Sequence, residues 1–299
     1  MHILKGYTKQ EISWMMYDWA NSAHSVIIVT LLPIFFDTVA GYTADSVSSM
    51  STWGYATSIA MLIVALAAPF LGVFGDIRGM RKKLFRFFML LGVAACAGMA
   101  FTPGMDFTSG PVAAGKVASL ILVLYIVSVI GFDASAIYYD AFLTDVTTED
   151  RMDKVSTMGY GLGYIGGSTI PLLIFLIMNL VGVPMLTCLA FVFGLTAVWW
   201  LAFSLPLLKN CEQTSGKPYE KGDVARSIKG VGTTIKEIIA NKPMLIYILS
   251  YFFYIDGVHT VISMATTYGT NLGLDSTGMM LALLLVQILG LPFCLLYIK

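Results

Sequence analysis

The sequence predicts an all-α membrane protein that crosses the bilayer eight times. Of its 299 residues, 57% are hydrophobic and 12% are charged, whereas soluble domains contain about 45–50% apolar and about 25% charged residues. Eight apolar runs each approach the roughly 20 residues that a helix needs to cross the hydrocarbon core. They cover residues 14–36, 52–74, 84–101, 117–139, 155–180, 184–207, 244–267 and 279–298.

The first predicted span carries polar side chains along one face. At about 100° per residue they fall within one arc of about 160°; they are Tyr17, Asp18, Asn21, Ser22, His24 and Ser25. So many adjacent polar groups in an apolar helix predict a face that binds a polar solute or water. The alternative is hydrogen bonding to neighbouring helices, which polar residues in membrane spans commonly supply.

Carboxylates recur inside every third predicted span. They are Asp18 in the first span, Asp133 and Asp140 in the fourth, and Asp256 in the seventh. Ionisable groups are costly in a bilayer and therefore face a bundle interior or a water-filled cavity, and a three-span repeat is a known plan of transporters. We predict that Asp133 faces a cavity and that Asp140 accepts hydrogen bonds from a neighbouring loop or helix end.

The connection after the second span is short, glycine-rich and basic. Gly72 and Gly79 permit a tight turn at the membrane surface. Asp76 is predicted to cap a helix start or to pair with a neighbouring arginine such as Arg81. The segment lacks the length and the lysine of a phosphate-binding loop, and we expect no nucleotide cofactor.

The fifth span carries a stripe of glycines. Gly159, Gly163 and Gly167 are spaced four residues apart, which places them on one helical face and allows another helix to approach closely. We predict that this face is a helix-packing surface.

One long polar connection divides the chain. Residues 1–208 contain six predicted spans, residues 209–243 form a linker, and residues 244–299 begin a second bundle with two spans. Residues 224–239 have amphipathic spacing, but Gly230 and Gly232 each disfavour a helix by about 1 kcal/mol relative to alanine. We therefore predict a charged linker there rather than a helix on the membrane surface.

The seventh span, like the first, carries polar residues along one helical face. Asp256, Thr260, Ser263 and Thr267 share one face, with His259 beside them. Asp256 lies about 18 Å along the helix, close to the bilayer midplane. We predict that Asp256, His259 and Thr260 line a cavity in which Asp256 binds cargo or carries a proton. The alternative is a buried pair of Asp256 and His259 that only orients the helix.

The distribution of charge predicts the orientation. Seventeen of the 18 lysine and arginine residues lie on one side of the predicted spans, and Lys116 lies on the other. Because basic residues concentrate in cytoplasmic loops, both termini and the linker with Cys211 are predicted to be cytoplasmic, and residues 37–51 to face outward. A formal net charge of zero favours no nucleic acid partner, and the scattered cysteines predict neither disulfides nor a metal site.

Residues 72–84 resemble the loop between helices two and three of the major facilitator superfamily. That pattern is a glycine, three residues, an aspartate, two residues, a glycine and then basic residues, and it is matched by Gly72, Asp76, Gly79, Arg81 and Leu84. Met80 replaces a position that is commonly basic. The resemblance implies that Gly72, Asp76, Gly79 and Arg81 form a gating loop.

Four further strings resemble the autophagy-related vacuole effluxer family and its bacterial relatives. They begin with Tyr-Asp-Trp-Ala-Asn-Ser at residues 17–22 and continue at residues 139–143, 163–167 and 256–260. The resemblance implies a major facilitator fold in which the first, fourth, seventh and tenth helices line a central cavity. It also implies solute efflux, with amino acids the best-known cargo in fungal vacuoles, in the cell membrane or, in a eukaryote, the vacuolar membrane.

A secondary active transporter of a small polar solute is the function that these features predict, with proton coupling as one energy source. An intramembrane enzyme is a second hypothesis, although paired histidines at i and i+4 are missing and the three histidines are far apart. A third is a non-transporting subunit or remnant. Because alternating access uses two six-span halves, the sequence predicts that four further spans, the rest of a C-terminal half, are missing.

Overall fold

The computed structural model describes residues 4–43, 48–218 and 223–297, and these ranges are almost entirely helical. Within them lie the following α-helices: α1 (Lys9–Ala40), α2 (Ser49–Gly75), α3 (Arg81–Met99), α4 (Pro111–Val146), α5 (Met152–Leu162), α6 (Thr169–Leu180), α7 (Met185–Asn210), α8 (Asp223–Ala240), α9 (Lys242–Asn271) and α10 (Ser276–Tyr297). By length and composition, eight helical stretches among these residues can cross a membrane, which confirms the predicted number of spans.

Helix α1 is the central helix of the bundle. A capping box starts it: the Thr8 hydroxyl accepts from the Glu11 amide at 3.1 Å, and the Glu11 carboxylate accepts from the Thr8 amide at 2.7 Å. The helix then packs against α4, α5 and α7. Because neighbours surround it, side chains on most of its circumference are buried.

The fifth span is made of two α-helices joined by a π-helical segment. Helix α5 runs into the π-helical Gly163–Ser168, and α6 follows. The wider turn agrees with the hydrogen bond that the Thr169 hydroxyl donates to the Tyr164 carbonyl, five residues earlier, at 2.8 Å. Such π-helical turns are rare and are found mostly as short insertions in α-helices.

The core has two clusters stacked along α1. One surrounds the second half of α1 and is mostly aliphatic and phenylalanine-rich, with Leu31 and Phe35 at its centre. The other surrounds the start of α1 and contains Trp14, Tyr17 and Trp200. The second cluster includes aromatic rings with polar atoms, which must find hydrogen-bond partners when they are buried.

The linker contains a helix, so the prediction that residues 224–239 form a charged linker rather than a helix was wrong. Helix α8 occupies Asp223–Ala240 and contacts α2 and α9. The cost of Gly230 and Gly232, about 1 kcal/mol each, does not prevent helix formation, because most helical stability in proteins comes from an amphipathic face. The preceding six-span region ends with α7 at Asn210, and the seventh span begins with α9 at Lys242.

The last two helices pack unequally on the others. Helix α10 contacts α5 and the π-helical segment, where Leu291 and Cys294 approach Gly161. Helix α9 contacts α1 and α2 near its C-terminal end, where Met264 approaches Gly54. The rest of α9 leaves most of its side chains exposed, including Tyr254 and Asp256.

Candidate functional site

A buried hydrogen bond joins the aspartate of the first span to the fourth span. The Tyr139 hydroxyl on α4 donates to Asp18 Oδ2 on α1 at 2.7 Å. Trp14 stacks on the Tyr139 ring at 4.3 Å between centroids, and its indole N–H donates to the Tyr139 carbonyl at 2.9 Å. Asp18 therefore takes part in helix–helix bonding, which is the alternative to solute binding for this polar face.

The neighbouring tyrosine connects three helices. The hydroxyls of Tyr17 on α1 and Ser135 on α4 lie 2.8 Å apart. The Trp200 indole N–H on α7 donates to the Tyr17 hydroxyl at 3.4 Å. Tyr17 and Asp18 thus tie the first, fourth and sixth spans together through buried polar contacts, which are costly to break in a low-dielectric interior.

His24 lies in an aromatic pocket inside the same bundle. Its ring centroid is 5.1 Å from Phe132 on α4 and 4.9 Å from Trp200 on α7. The side chain is buried, and neither ring nitrogen has a hydrogen-bond partner among the residues that the structure describes. His24 therefore faces the bundle interior.

The other polar side chains of the predicted stripe are distributed over several environments. Asn21 is buried, Ser22 is partly buried and Ser25 is exposed. On α4, Asp133 is partly buried, and its Oδ2 has no partner within the described part of the chain. Asp140 was expected to accept hydrogen bonds, but it is exposed and accepts none from the described residues.

The glycine stripe of the fifth span packs against α1. A Cβ atom at Gly167 would lie 2.8 Å from the Ser22 Cβ, and one at Gly163 would lie 2.5 Å from the Ser22 hydroxyl. Gly159 faces the Asp18 carboxylate in the same way. These glycines therefore allow the close contact between the first and fifth spans, because any side chain would overlap α1.

The polar residues of the seventh span stand apart from this cluster. Asp256, His259 and Thr260 are all exposed on α9. The Ser263 hydroxyl donates to the His259 carbonyl at 2.8 Å, and Thr267 is buried. No ion pair joins Asp256 to His259 in residues 223–297, so the orienting pair that the sequence left open is not formed here.

The predicted gating loop contains a buried arginine. Arg81 begins α3, pairs with the Asp145 carboxylate at the end of α4, and donates to the Ala141 carbonyl at 3.0 Å. Asp76 follows the end of α2, where its carboxylate is exposed and lies 3.8 Å from the Arg81 guanidinium. Gly79 has a φ of +80°, a left-handed conformation that glycine adopts without strain. A Cβ added at Gly72 would meet no side chain or neighbouring helix within 4 Å.

A segment after α7 binds across this loop, a contact that the sequence did not predict. We call residues 211–217 the strap. The Gln213 side chain accepts from the Gly79 amide at 2.8 Å and donates to the Gly75 carbonyl at 3.0 Å. The Arg78 amide donates to the Lys217 carbonyl at 3.0 Å, which adds a backbone bridge. No local pattern in residues 211–217 indicates this contact.

Asp145 holds the strap and the loop together. Its Oδ1 accepts from the Thr214 amide at 3.0 Å and from the Ser215 amide at 2.9 Å. Both hydroxyls, of Thr214 and Ser215, also donate to Oδ1, each at 2.8 Å. Because Oδ2 binds Arg81, one carboxylate connects the ends of α3 and α4 with the chain that leaves α7.

A second charged contact closes the same end of the bundle. Arg151, just before α5, donates to Glu11 on α1 through Nε at 2.8 Å and through Nη2 at 2.9 Å. The Thr147 hydroxyl donates to the same carboxylate at 2.7 Å. Glu11 is buried, and such two-pronged arginine–carboxylate pairs are geometrically specific. Neither Glu11 nor Arg151 was among the residues predicted from the sequence.

Cys211 starts the strap and is fully buried. Its thiol donates to the Gln10 carbonyl at 3.6 Å, and burial raises the pKa of the thiol to about 12. The described residues contain no group of three or more His, Cys, Asp or Glu side chains that could hold a metal ion.

One cavity lies at the opposite end of the bundle. It has a volume of about 600 Å³ and lies between the end of α1 and the starts of α2 and α4, with Thr52 and Lys116 in its wall. None of the predicted site residues lines it.

Comparisons with known proteins agree with this helical architecture. The family model described as "Vacuole effluxer Atg22 like" matches residues 7–296. An "Uncharacterized MFS-type transporter YxiO" of Bacillus subtilis is 39% identical over 305 residues, which is 99% of this chain and 68% of that protein.

Two fungal proteins match a smaller part of the chain. The "Autophagy-related protein 22-1" of Penicillium rubens is 26% identical over 148 residues, which is 46% of this chain and 25% of that protein. The protein of the same name from Aspergillus niger is 26% identical over 147 residues, which is 46% of this chain and 24% of that protein. The chain therefore aligns with about two thirds of the bacterial relative and about a quarter of each fungal one.

Proposed function

This chain belongs to the vacuole effluxer Atg22-like family, and we propose that it moves a small polar solute out of its compartment by alternating access. The proposal combines family membership with the multi-pass helical architecture. In this mechanism the two groups of helices rock around a site near the bilayer midplane and expose it to each side in turn. Both termini and the linker lie in the cytoplasm, as the distribution of basic residues indicates.

The observation that carries the proposal is the position of Asp256. It is residue 15 of the 30 residues in α9, a helix apolar enough to cross the membrane. Its carboxylate is exposed and has no partner among the described residues. A carboxylate at mid-membrane costs free energy unless it faces water, cargo or another polar group, so Asp256 is the strongest candidate for binding cargo or a proton.

We propose that the other site residues act around Asp256. His259 and Thr260 lie within one turn of it on α9 and supply a proton acceptor and a hydroxyl. Asp133 on α4 contributes a second carboxylate, while Asn21, Ser22 and Asp18 on α1 provide polar groups next to the fifth span. The exposed face of α9 is then covered by further membrane helices in the transporting form, because lipid cannot satisfy these side chains.

The energy source and the cargo follow from the same chemistry. A carboxylate that binds a proton in one orientation and releases it in the other couples solute movement to a proton gradient. Amino acids fit a site that offers carboxylates and hydroxyls, because their ammonium group pairs with the former and their carboxylate accepts from the latter. This is the cargo class that we propose to test first.

The experiment compares cells that lack the gene with cells that express the natural sequence or the Asp256→Asn variant. Intracellular and medium solutes are profiled, and efflux of any affected solute is measured at two pH values. We expect the natural sequence to restore export and Asp256→Asn to abolish it or to remove its pH dependence. Asp153→Asn, an exposed aspartate at the start of α5, is the matched control. Unchanged, pH-dependent export by Asp256→Asn at equal expression would refute the role of Asp256.

A further inference from the structure

Helix α8 has an apolar stripe that the described chain covers only in part: Val231 and Ile238 are half-buried, and Ile235 and Ile239 are exposed. At about 100° per residue, Val231, Ile235, Ile238 and Ile239 fall on one side of the helix. Ile235 is 51% exposed and Ile239 is 60% exposed. Four aliphatic side chains on one face exceed the isolated apolar residues that are normal on a protein surface.

The opposite side of α8 is polar, and its charge is mostly positive. Thr233 lies opposite the centre of the stripe, while Lys229 and Lys236 lie together on one flank. All three side chains are exposed. Lysines beside an apolar stripe can lay their aliphatic stems along it and extend their ammonium groups to a polar boundary.

The position of α8 in the chain places its end at the membrane. Only Asn241 separates α8 from α9. The Asn241 side chain caps the start of α9 by accepting from the Met244 amide, so the seventh span follows α8 directly. Helix α8 also contacts α2, a second helix that is long and apolar enough to cross the membrane. With 18 residues, α8 is about 27 Å long. Because it contacts both α9 and α2, it stays close to the membrane surface.

We propose that α8 lies in the membrane interface, with its apolar stripe in the acyl boundary and with Lys229 and Lys236 bound to anionic lipid headgroups. Continuity with α9 selects lipid as the occupant, because the bilayer is already adjacent to the last turn of α8. The lysine flank selects anionic over neutral lipid, because basic residues near a membrane surface are attracted by its negative potential. The proposal does not depend on the transported solute.

The test uses the 299-residue chain, with its four cysteines replaced by alanine, in vesicles of phosphatidylcholine with or without phosphatidylglycerol. A nitroxide is attached to Ile235→Cys on the stripe or to Thr233→Cys on the opposite face. We expect the label at 235 to be accessible to oxygen, which concentrates in hydrocarbon. The label at 233 should instead be accessible to a water-soluble nickel complex. Phosphatidylglycerol should move the label at 235 deeper, toward the depth of about 5–10 Å at which the apolar face of an interfacial helix is buried.

The lysines are tested in the same vesicles. The double variant Lys229→Gln with Lys236→Gln should lose the deepening caused by phosphatidylglycerol, whereas Lys116→Gln at the other end of the bundle should keep it. Amide hydrogen exchange of residues 229–240 in the natural sequence provides a second measurement, and phosphatidylglycerol should slow it. A label at 235 that reports water, or one that is inaccessible to both reagents because protein covers it, would overturn the proposal.

Discussion

The Tyr139 hydroxyl donates a 2.7 Å hydrogen bond to the buried carboxylate of Asp18 and thereby joins α4 to α1. Both residues belong to strings that resemble the family signature, at residues 17–22 and 139–143. The bond gives these two strings a shared structural purpose, since each string supplies the partner that the other needs. It also brings Asp18 against Gly159 of the fifth span, so three helices meet at one carboxylate.

Replacing Tyr139 with phenylalanine should destabilise the protein. The change removes the donor and leaves the Asp18 carboxylate without its partner in a buried site, which costs about 1–3 kcal/mol. We expect a lower thermal unfolding temperature in detergent, followed by intrinsic fluorescence. Tyr160→Phe is the control, because Tyr160 is 61% exposed. Equal unfolding temperatures for the two variants would contradict this assignment.

The glycine stripe should reject even a methyl group. Gly167→Ala places a Cβ 2.8 Å from the Ser22 Cβ, and overpacking of this kind costs about 1–3 kcal/mol. Gly115→Ala in α4 is the matched control, because no atom lies within 4 Å of its added Cβ and alanine is the better helix former. Thermal unfolding should therefore occur at a lower temperature for Gly167→Ala and at an equal or higher one for Gly115→Ala. The reverse order would show that α1 and the fifth span are not in close contact.

The strap should protect the amides of the loop that it crosses. In the natural sequence the Gly79 amide donates to the Gln213 side-chain oxygen at 2.8 Å. The Arg81 amide also donates to this oxygen, at 3.3 Å. Gln213→Ala removes this acceptor. We expect the substitution to remove about 1.4 kcal/mol of local stability, which is a tenfold change in an equilibrium constant, so amide exchange at Gly79 and Arg81 should become about tenfold faster. Glu212→Ala, an exposed neighbour, is the control. Exchange that is the same in both variants would mean that the strap does not hold the loop.

Cys211 should resist thiol reagents in the folded protein. Burial raises the pKa of its thiol to about 12, so at pH 8 the reactive thiolate is on the order of 10⁻⁴ of the population. Maleimide should label Cys211 quickly only after denaturation, as mass spectrometry of the peptide will record. Fast labelling at pH 8 before denaturation would show that the thiol is accessible.

The predicted orientation therefore needs a different reporter. Glu212→Cys places a thiol on an exposed neighbour of Cys211, and an impermeant reagent should label it only after the cells are permeabilised, because the basic residues predict a cytoplasmic linker. Thr108→Cys, in the exposed connection between α3 and α4, should be labelled in intact cells. Labelling with the opposite pattern would reverse the orientation.

Much of the site lay beyond what local patterns can predict. The helical periodicity correctly grouped Tyr17, Asp18 and His24 as polar residues of one helix, but it could not say whether solvent or another helix faces them. In the folded chain Tyr139, Ser135 and Trp200 are those neighbours. The strap was missed for the same reason, because Gln213 and Asp145 are 68 positions apart in sequence and only the folded bundle brings both to the same loop.

Hydropathy and charge, read along the sequence alone, determined the eight spans and the polar residues inside them, because crossing a bilayer imposes a length and a composition that are visible in a single segment. The tertiary structure alone decided that α1 is central, that the Asp18 carboxylate binds Tyr139, and that the linker folds back on the loop between α2 and α3. These contacts depend on which helices become neighbours. That choice is made by packing between distant segments, through glycine surfaces and buried hydrogen bonds, and no single segment contains it.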